Sequence, residues 1–304
     1  MKICYQEKTF RATTRAMIDG ANKIIREYLA AGFKLTLRQL YYQFVSRDLL
    51  ENTVKSYKNL GSVVNDGRLA GLIDWDSIED RTRHLSALST WENPQSIIDA
   101  CASQYRVDMW EAQPYYVEVW IEKEALAGVF ERVCNEMRVP FFCARGYNSQ
   151  SEQWAAGRRL RKIMEGKGVH RGRKALILHF GDHDPSGLDM TRDNRDRLEM
   201  FTAPHVAELK RIALNMNQVE QYSPPPNPAK ATDARFEGYQ REFGDESWEL
   251  DALDPTVLAD LVRAELKEII DEEAWGICKD QEDEQKEQLE KVSSQWDSIV
   301  DGLE

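Results

Sequence analysis

In residues 10–32 the apolar side chains fall at 17/18, 21, 24/25 and 28/29. That spacing follows the helical repeat and predicts an amphipathic helix, with Gly32 placed to end it. Thr36 and Gln39 then stand in the S/T-x-x-E/Q relation of a capping box, so a second helix is expected to open at Thr36. On that helix Leu37, Leu40, Tyr41 and Phe44 follow i, i+3, i+4, i+7 and form a core stripe. A third helix is expected over about 53–70 with Leu60, Val63, Val64 and Leu69 inward. Residues 70–83, AGLIDWDSIEDRTR, read as a short strand and a charged turn.

Beyond a connecting helix and linker at 93–114 the pattern changes. Strand-like runs at 115–121 (YYVEVWI), 140–144, 174–180 (KALILHF) and 208–216 alternate with helical stretches at 124–137, 151–164 and 186–201. Strands alternating with helices predict an α/β fold with a Rossmann-like parallel sheet and right-handed crossovers. The three N-terminal helices followed by a small β element suggest a winged-helix domain. Its third helix would bring Lys55, Lys58, Asn59, Asn65 and Arg68 toward DNA; an ordinary helical domain with a solvated polar face fits the same pattern. The expected division is 1–92 (winged helix), 93–114 (linker), 115–270 (α/β domain) and 271–304 (acidic helical tail). Residues 222–233, YSPPPNPAKATD, read as an extended proline-rich loop. Leu289, Val292, Trp296 and Ile299 make a short 3-4-3 apolar seam in the tail, too short to define a coiled coil.

Composition narrows the class. A chain of 304 residues suggests about two domains at ~150 residues each. The five cysteines are scattered and lack CxxC spacing, which predicts reduced thiols rather than a zinc site or a disulfide framework. No apolar leader and no membrane-length apolar run is present, so a cytoplasmic location is expected, associated with nucleoid, plasmid or phage DNA. The net charge of −12 argues at first against a nucleic-acid partner. From Asp271 onward, however, twelve acids face three lysines, so the tail carries −9 and the rest only −3. A near-neutral body can still present a basic face. The stretch 157–174 gathers Arg158, Arg159, Arg161, Lys162, Lys167, Arg171, Arg173 and Lys174, a candidate for phosphate contact or a solvated face; Lys230 is a weaker candidate.

The chemistry is expected at strand ends. Glu122 lies where the 115–121 strand runs out, and Asp182 and Asp184 where the 174–180 strand does. Ligands of open α/β sheets bind outside the carboxyl ends of strands. Three carboxylates converging there would repel one another, and a hard divalent cation such as Mg²⁺ would relieve it. His183 would point away into packing. The competing reading is local: Asp184-Pro185 is also a good helix start, with Asp184 as the N-cap.

WIEKEAL and GDHDPSG resemble the two acidic motifs of a Toprim domain, and TLRQLYYQF resembles the tyrosine-bearing helix of topoisomerase VI A subunits and the related meiotic double-strand-break protein. The resemblance covers about residues 30–270, with the motifs in the family order, and is greatest to the compact, stand-alone A-like proteins. The acidic tail has no counterpart in it. On helical geometry Tyr42 lies about 100° from the core stripe, and Arg38, four residues earlier, shares its face. The expectation is therefore a buried Tyr41 and a presented Tyr42. The family motif also places its nucleophile at the second tyrosine.

The resemblance implies Mg²⁺-dependent cleavage of double-stranded DNA through a 5′-phosphotyrosyl link at Tyr42. Arg38 would hold a phosphate oxygen, and Glu122, Asp182 and Asp184 would hold the ion. It implies a homodimer that cuts both strands, and a separate ATPase subunit if strands are passed, because the chain has no G-x-x-x-x-G-K-[ST] loop. Two alternatives stay open: a Toprim nuclease in which water attacks, and a non-catalytic DNA-binding or scaffold protein.

Overall fold

The computed structural model describes residues 1–79, 88–165, 173–202 and 207–302. Helix α1 (Ala12–Ala30) buries Ile18, Ala21, Ile24, Ile25 and Tyr28, the face its periodicity predicts. It stops where Gly32 takes a left-handed φ of 81°, which glycine adopts without steric cost. Strand β1 (Leu35–Thr36) leads directly into α2 (Leu37–Ser46). The capping box forms in full: Thr36 Oγ1 accepts from the Gln39 N–H at 3.2 Å, and Gln39 Oε1 accepts from the Thr36 N–H at 2.8 Å. Helix α3 (Val54–Leu69) buries Leu60, Val63 and Val64, while Leu69 is half-buried. Strand β2 (Ile78–Glu79) pairs in parallel with β1 over two residues. The end of the 70–83 segment lies outside the described residues.

Helix α4 (Pro94–Gln104) starts at an Asn93 capping box. The sheet then follows: β3 (Tyr115–Ile121), α5 (Ala127–Glu136), β4 (Phe141–Cys143), α6 (Gln150–Glu165), β5 (Lys174–Phe180), α7 (Pro185–Thr202) and β6 (Ala207–Ala213). The four strands are parallel in the order β4-β3-β5-β6, so the central pair β3 and β5 carries the two acidic motifs side by side. Ile121 is in register with Phe180, which aligns the strand ends.

Helices cover both faces of the sheet, which is why β3 and β5 read as nearly unbroken apolar runs. Alternate residues divide between two clusters. Val117, Val119, Ile121, Leu176, Leu178 and Phe180 pack toward α5 and the helix Pro255–Lys267, in one apolar cluster that continues into α1, α2 and α3. Trp120, Ala175, Ile177 and Leu209 pack with Ala156 and Leu160 of α6 and Leu198 of α7.

After β6 come α8 (Met216–Tyr222), β7 (Asn227–Pro228), α9 (Phe236–Phe243), β8 (Glu246–Ser247) and α10 (Pro255–Lys267). The proline-rich segment is thus not wholly loop, since β7 pairs antiparallel with β8. The acidic tail forms α11 (Glu272–Ser294) and α12 (Trp296–Asp301). Helix α11 packs along α4. Gln95 donates to the Ser293 carbonyl at 3.0 Å, and Glu282, wholly buried, accepts from the Val107 N–H at 3.0 Å and from Arg138 and Lys286 at 2.8 and 2.7 Å. The helix breaks at Gln295, which interrupts the expected seam, and Val292 and Ile299 stay exposed. Among the described residues no helix is long and apolar enough to cross a membrane.

Candidate functional site

The acidic motifs meet at the carboxyl edge of the sheet. The Glu122 N–H donates to the Phe180 carbonyl at 2.9 Å, and Glu122 Oε2 accepts from the Asp182 N–H at 2.9 Å. Gly181 allows this approach, because a Cβ there would lie 2.9 Å from Glu122 Oε2. Asp182 Oδ1 accepts from the Leu250 N–H at 2.7 Å and lies 2.9 Å from Lys123 Nζ. His183 forms an antiparallel bridge with Trp248 and packs its ring among Tyr239, Phe243 and Trp248, as expected of a packing residue. Asp184 Oδ1 accepts from the Gly187 N–H at 2.6 Å, so this carboxylate does cap the start of α7.

The carboxylates do not lack a cation. Lys123, adjacent to Glu122 in sequence, forms ion pairs with Asp182, Glu249 and Asp251. Arg211 lies behind the motif and donates to the carbonyls of Gly181 (3.0 Å), Asp182 (2.6 Å), Leu214 (3.0 Å) and Gly187 (3.2 Å), and to Thr191 Oγ1 (2.5 Å). It fixes the turn that carries both aspartates. Burial pushes the Asp182 carboxyl up to about 8 despite the Lys123 charge, with Glu122, Glu249 and Asp251 adding repulsion. Burial also raises Glu122, and the Asp184 charge pushes the same way. For Lys123, burial works against the charge, but Asp251, Asp182 and Glu249 outweigh it and keep the ammonium protonated.

The tyrosine helix joins this network. Arg38 Nη2 lies 2.7 Å from Glu249 Oε2, and Arg38 Nε lies 3.0 Å from Asp251 Oδ2, an ion pair bent away from hydrogen-bond geometry. The same Nη2 donates to the Tyr42 hydroxyl at 3.3 Å. A continuous path therefore runs Tyr42, Arg38, Glu249 and Asp251, Lys123, Asp182, Glu122 within one chain. Glu249 and Asp251 were not foreseen, and neither was Lys123, although the quoted WIEKEAL contains it. Arg211 was also legible as a charge inside an apolar strand.

Tyr42 departs from expectation in one respect. It is 4% exposed and Tyr41 5%, so neither ring is presented at the surface. The turn at Leu250–Ala252 packs on α2 and covers the face that local periodicity leaves open. The Tyr41 hydroxyl is used structurally, donating toward Asn52 Oδ1 and the Thr53 carbonyl, both at 3.1 Å. Tyr42 instead lines a pocket of about 370 Å³ with Arg38, Tyr41, Tyr57, Asn227 and Glu249 among its walls. Burial raises the Tyr42 phenol, Asp251 and Glu249 add to the rise, and Arg38 opposes it. Glu249 stays ionised: burial disfavours its charge, but Lys123, Arg38 and Lys230 outweigh that.

Among the described residues no group of three or more Asp, Glu, His or Cys gathers around one point that would hold a metal. The three-carboxylate set is therefore divided, with Asp182 taken up by Lys123 and the Leu250 N–H. Glu122 and Asp184 each have one oxygen in a backbone hydrogen bond, and their charges repel each other. Carboxylates are the donor type that Mg²⁺ binds while keeping its waters for substrate oxygens.

The basic candidates sort cleanly. Lys55, Lys58, Asn59, Asn65, Arg158, Arg161 and Lys162 are exposed. Arg68 is not available to DNA: it donates to the Trp75 and Ile78 carbonyls at 2.8 and 2.7 Å and stacks on Trp75. Arg159 forms a two-pronged pair with buried Glu118 at 2.8 and 2.9 Å. Arg173 is itself buried and donates to the Gln113 carbonyl at 3.1 Å and to that of Trp110. Lys167 and Arg171 lie outside the described residues. Comparison with protein-family models, with curated proteins and with solved structures finds no match to this chain.

Proposed function

We propose that this protein is a DNA-cleaving transesterase of the topoisomerase VI A type, in which Tyr42 is the nucleophile. In this reading α1–α3 act as the winged-helix unit and the four-stranded parallel sheet as the Toprim unit. The observation that carries it is the ion-pair network linking the Tyr42 hydroxyl, through Arg38, Glu249, Asp251 and Lys123, to Asp182 and Glu122. A tyrosine used only for packing would need no such connection to a strand-end acidic cluster.

The chain's residues divide the work as follows. The phenol rests protonated, because burial and nearby carboxylates raise it. Glu249, an ionised carboxylate in the same pocket, is placed to take the proton as a phosphate arrives. Arg38 then turns N–H donors toward the phosphate oxygens. The Tyr42 oxygen bonds to phosphorus, the bond to the 3′-oxygen breaks, and that oxygen leaves as a hydroxyl, taking up the proton that the phenol gave to Glu249. The product is a 5′-phosphotyrosyl enzyme. Glu122 and Asp184 would hold a Mg²⁺ ion, whose positive charge would be supplied to the phosphate oxygens. Lys123 and Arg211 keep the acidic residues in place. Lys55, Lys58, Arg158 and Lys162 contact the duplex backbone, a second copy of the chain cuts the opposite strand, and full strand passage requires a separate ATPase.

A second reading, hydrolysis by water at the same acids, is favoured by the burial of Tyr42. One experiment separates them: supercoiled plasmid with Mg²⁺, quenched in detergent, with and without protease. Transesterification leaves cut DNA bound to protein until protease is added, and Tyr42→Phe lowers cutting about a thousandfold or more. Free ends, with Tyr42→Phe as active as wild type, assign the reaction to water.

A further inference from the structure

The pocket at Tyr42 is lined by aromatic rings and amides as well as by charge. Three tyrosine rings line it, with Tyr41 centred 5.6 Å from Tyr42 and 5.4 Å from Tyr57. Its polar lining includes two side-chain amides, Asn52 and Asn227. Asn52 Nδ2 donates to the Pro226 carbonyl at 3.0 Å and to Asn227 Oδ1 at 3.1 Å, while Asn52 Oδ1 accepts from the Tyr41 hydroxyl. These bonds tie the proline-rich segment to the junction of α2 and α3, so two distant parts of the chain close one pocket.

We propose that this pocket takes a single unpaired nucleobase from a bound DNA strand, an inference that rests on DNA being the substrate. Aromatic rings stack on any base, and the Asn227 Nδ2 amide, which these bonds leave unused, offers a donor to a base edge. The volume of about 370 Å³ lies in the range of roughly 300–1,000 Å³ typical of pockets for one small ligand, and it is too small for a duplex. Two cations adjoin the pocket: Arg38 in its lining, and exposed Lys230, whose charge acts on Glu249. A base held here places its own backbone at the Tyr42 hydroxyl. The chain would therefore engage DNA where one nucleotide has left the stack.

The test uses the full-length protein, fluorescence anisotropy and a buffer with chelator, so that binding alone is read. Three labelled duplexes of one sequence are compared: fully paired, carrying a one-nucleotide bulge, and carrying an abasic residue at the bulge. The bulged duplex is expected to bind about tenfold more tightly than the paired one, equivalent to about 1.4 kcal/mol. The abasic bulge is expected to fall back to the paired level. Tyr57→Ala removes one wall, and Val54→Trp fills the pocket from a position that is 72% exposed and tolerant of size. Both variants should abolish the preference and retain paired-duplex affinity. Equal affinity for base-containing and abasic bulges, or a preference that survives Val54→Trp, overturns the proposal. Displacement of the bulged duplex by free nucleoside monophosphates at similar concentration also overturns it, and assigns the pocket to free nucleotides. No cleavage is read, so the outcome is independent of whether Tyr42 is the nucleophile.

Discussion

Lys123 is the residue on which the two acidic groups depend. Its ammonium satisfies Asp182 from the sheet edge and both Glu249 and Asp251 from the turn that covers α2. Asp251 is almost wholly buried, so removing the ammonium strips Asp182 of its Lys123 pair and leaves Arg38 alone to balance both Glu249 and Asp251. Lys123→Met is expected to lower stability by about 3–5 kcal/mol, measured as a shift in the urea midpoint. Arg15→Ala, which breaks the exposed i, i+4 pair with Asp19, should change it by less than about 0.5 kcal/mol. Similar small shifts for both would show that Lys123 is not the central tie. At this scale the sequence was partly legible. Helical spacing put Tyr41 in the core and paired Arg38 with Tyr42, both as observed. The burial of Tyr42 could not be read locally, because residues about 210 positions later cover it. Arg68 and Arg173 looked like surface cations because their carbonyl partners come near only in the fold, while Arg159, though exposed, is held by buried Glu118.

Elements were easier to read than contacts. The strands at 115–121 and 174–180 appear with the expected bounds, because strands buried on both faces are unbroken apolar runs closed by charge or glycine. The capping box at Thr36 and Gln39 was visible because its chemistry spans only four residues. That box sets the start of the helix carrying Tyr42. Thr36→Ala should cost about 1 kcal/mol of stability by urea denaturation. No change would mean that tertiary packing alone positions α2. Helix α10 was missed, although Asp254-Pro255 gives the same aspartate-proline start as Asp184-Pro185. The continuous tail seam failed at Gln295, a break that spacing alone does not encode.

Across the whole molecule, charge is distributed rather than summed. The net −12 coexists with exposed Lys55, Lys58, Arg158 and Lys162, while much of the tail's acidity lies on α11, which packs back along α4 and holds buried Glu282 against Val107 and Arg138. If these four cations meet DNA phosphates, replacing each with Ala should reduce the slope of log affinity against log salt by close to one unit. Arg159→Ala should leave the slope unchanged and lower stability instead, because its work is to neutralise Glu118. Slopes measured by anisotropy from about 50 to 200 mM salt decide this.

The central claim is that the Tyr42 oxygen becomes bonded to DNA. The most direct measurement is to quench a cleavage reaction in detergent, digest the DNA with nuclease and the protein with trypsin, and fragment the peptide spanning residues 39–47 by mass spectrometry. That peptide contains both Tyr41 and Tyr42. A nucleotide mass on Tyr42, absent from Tyr41 and from reactions without DNA, is the predicted result. Cut DNA with an unmodified peptide, or an adduct at any other residue, would contradict it.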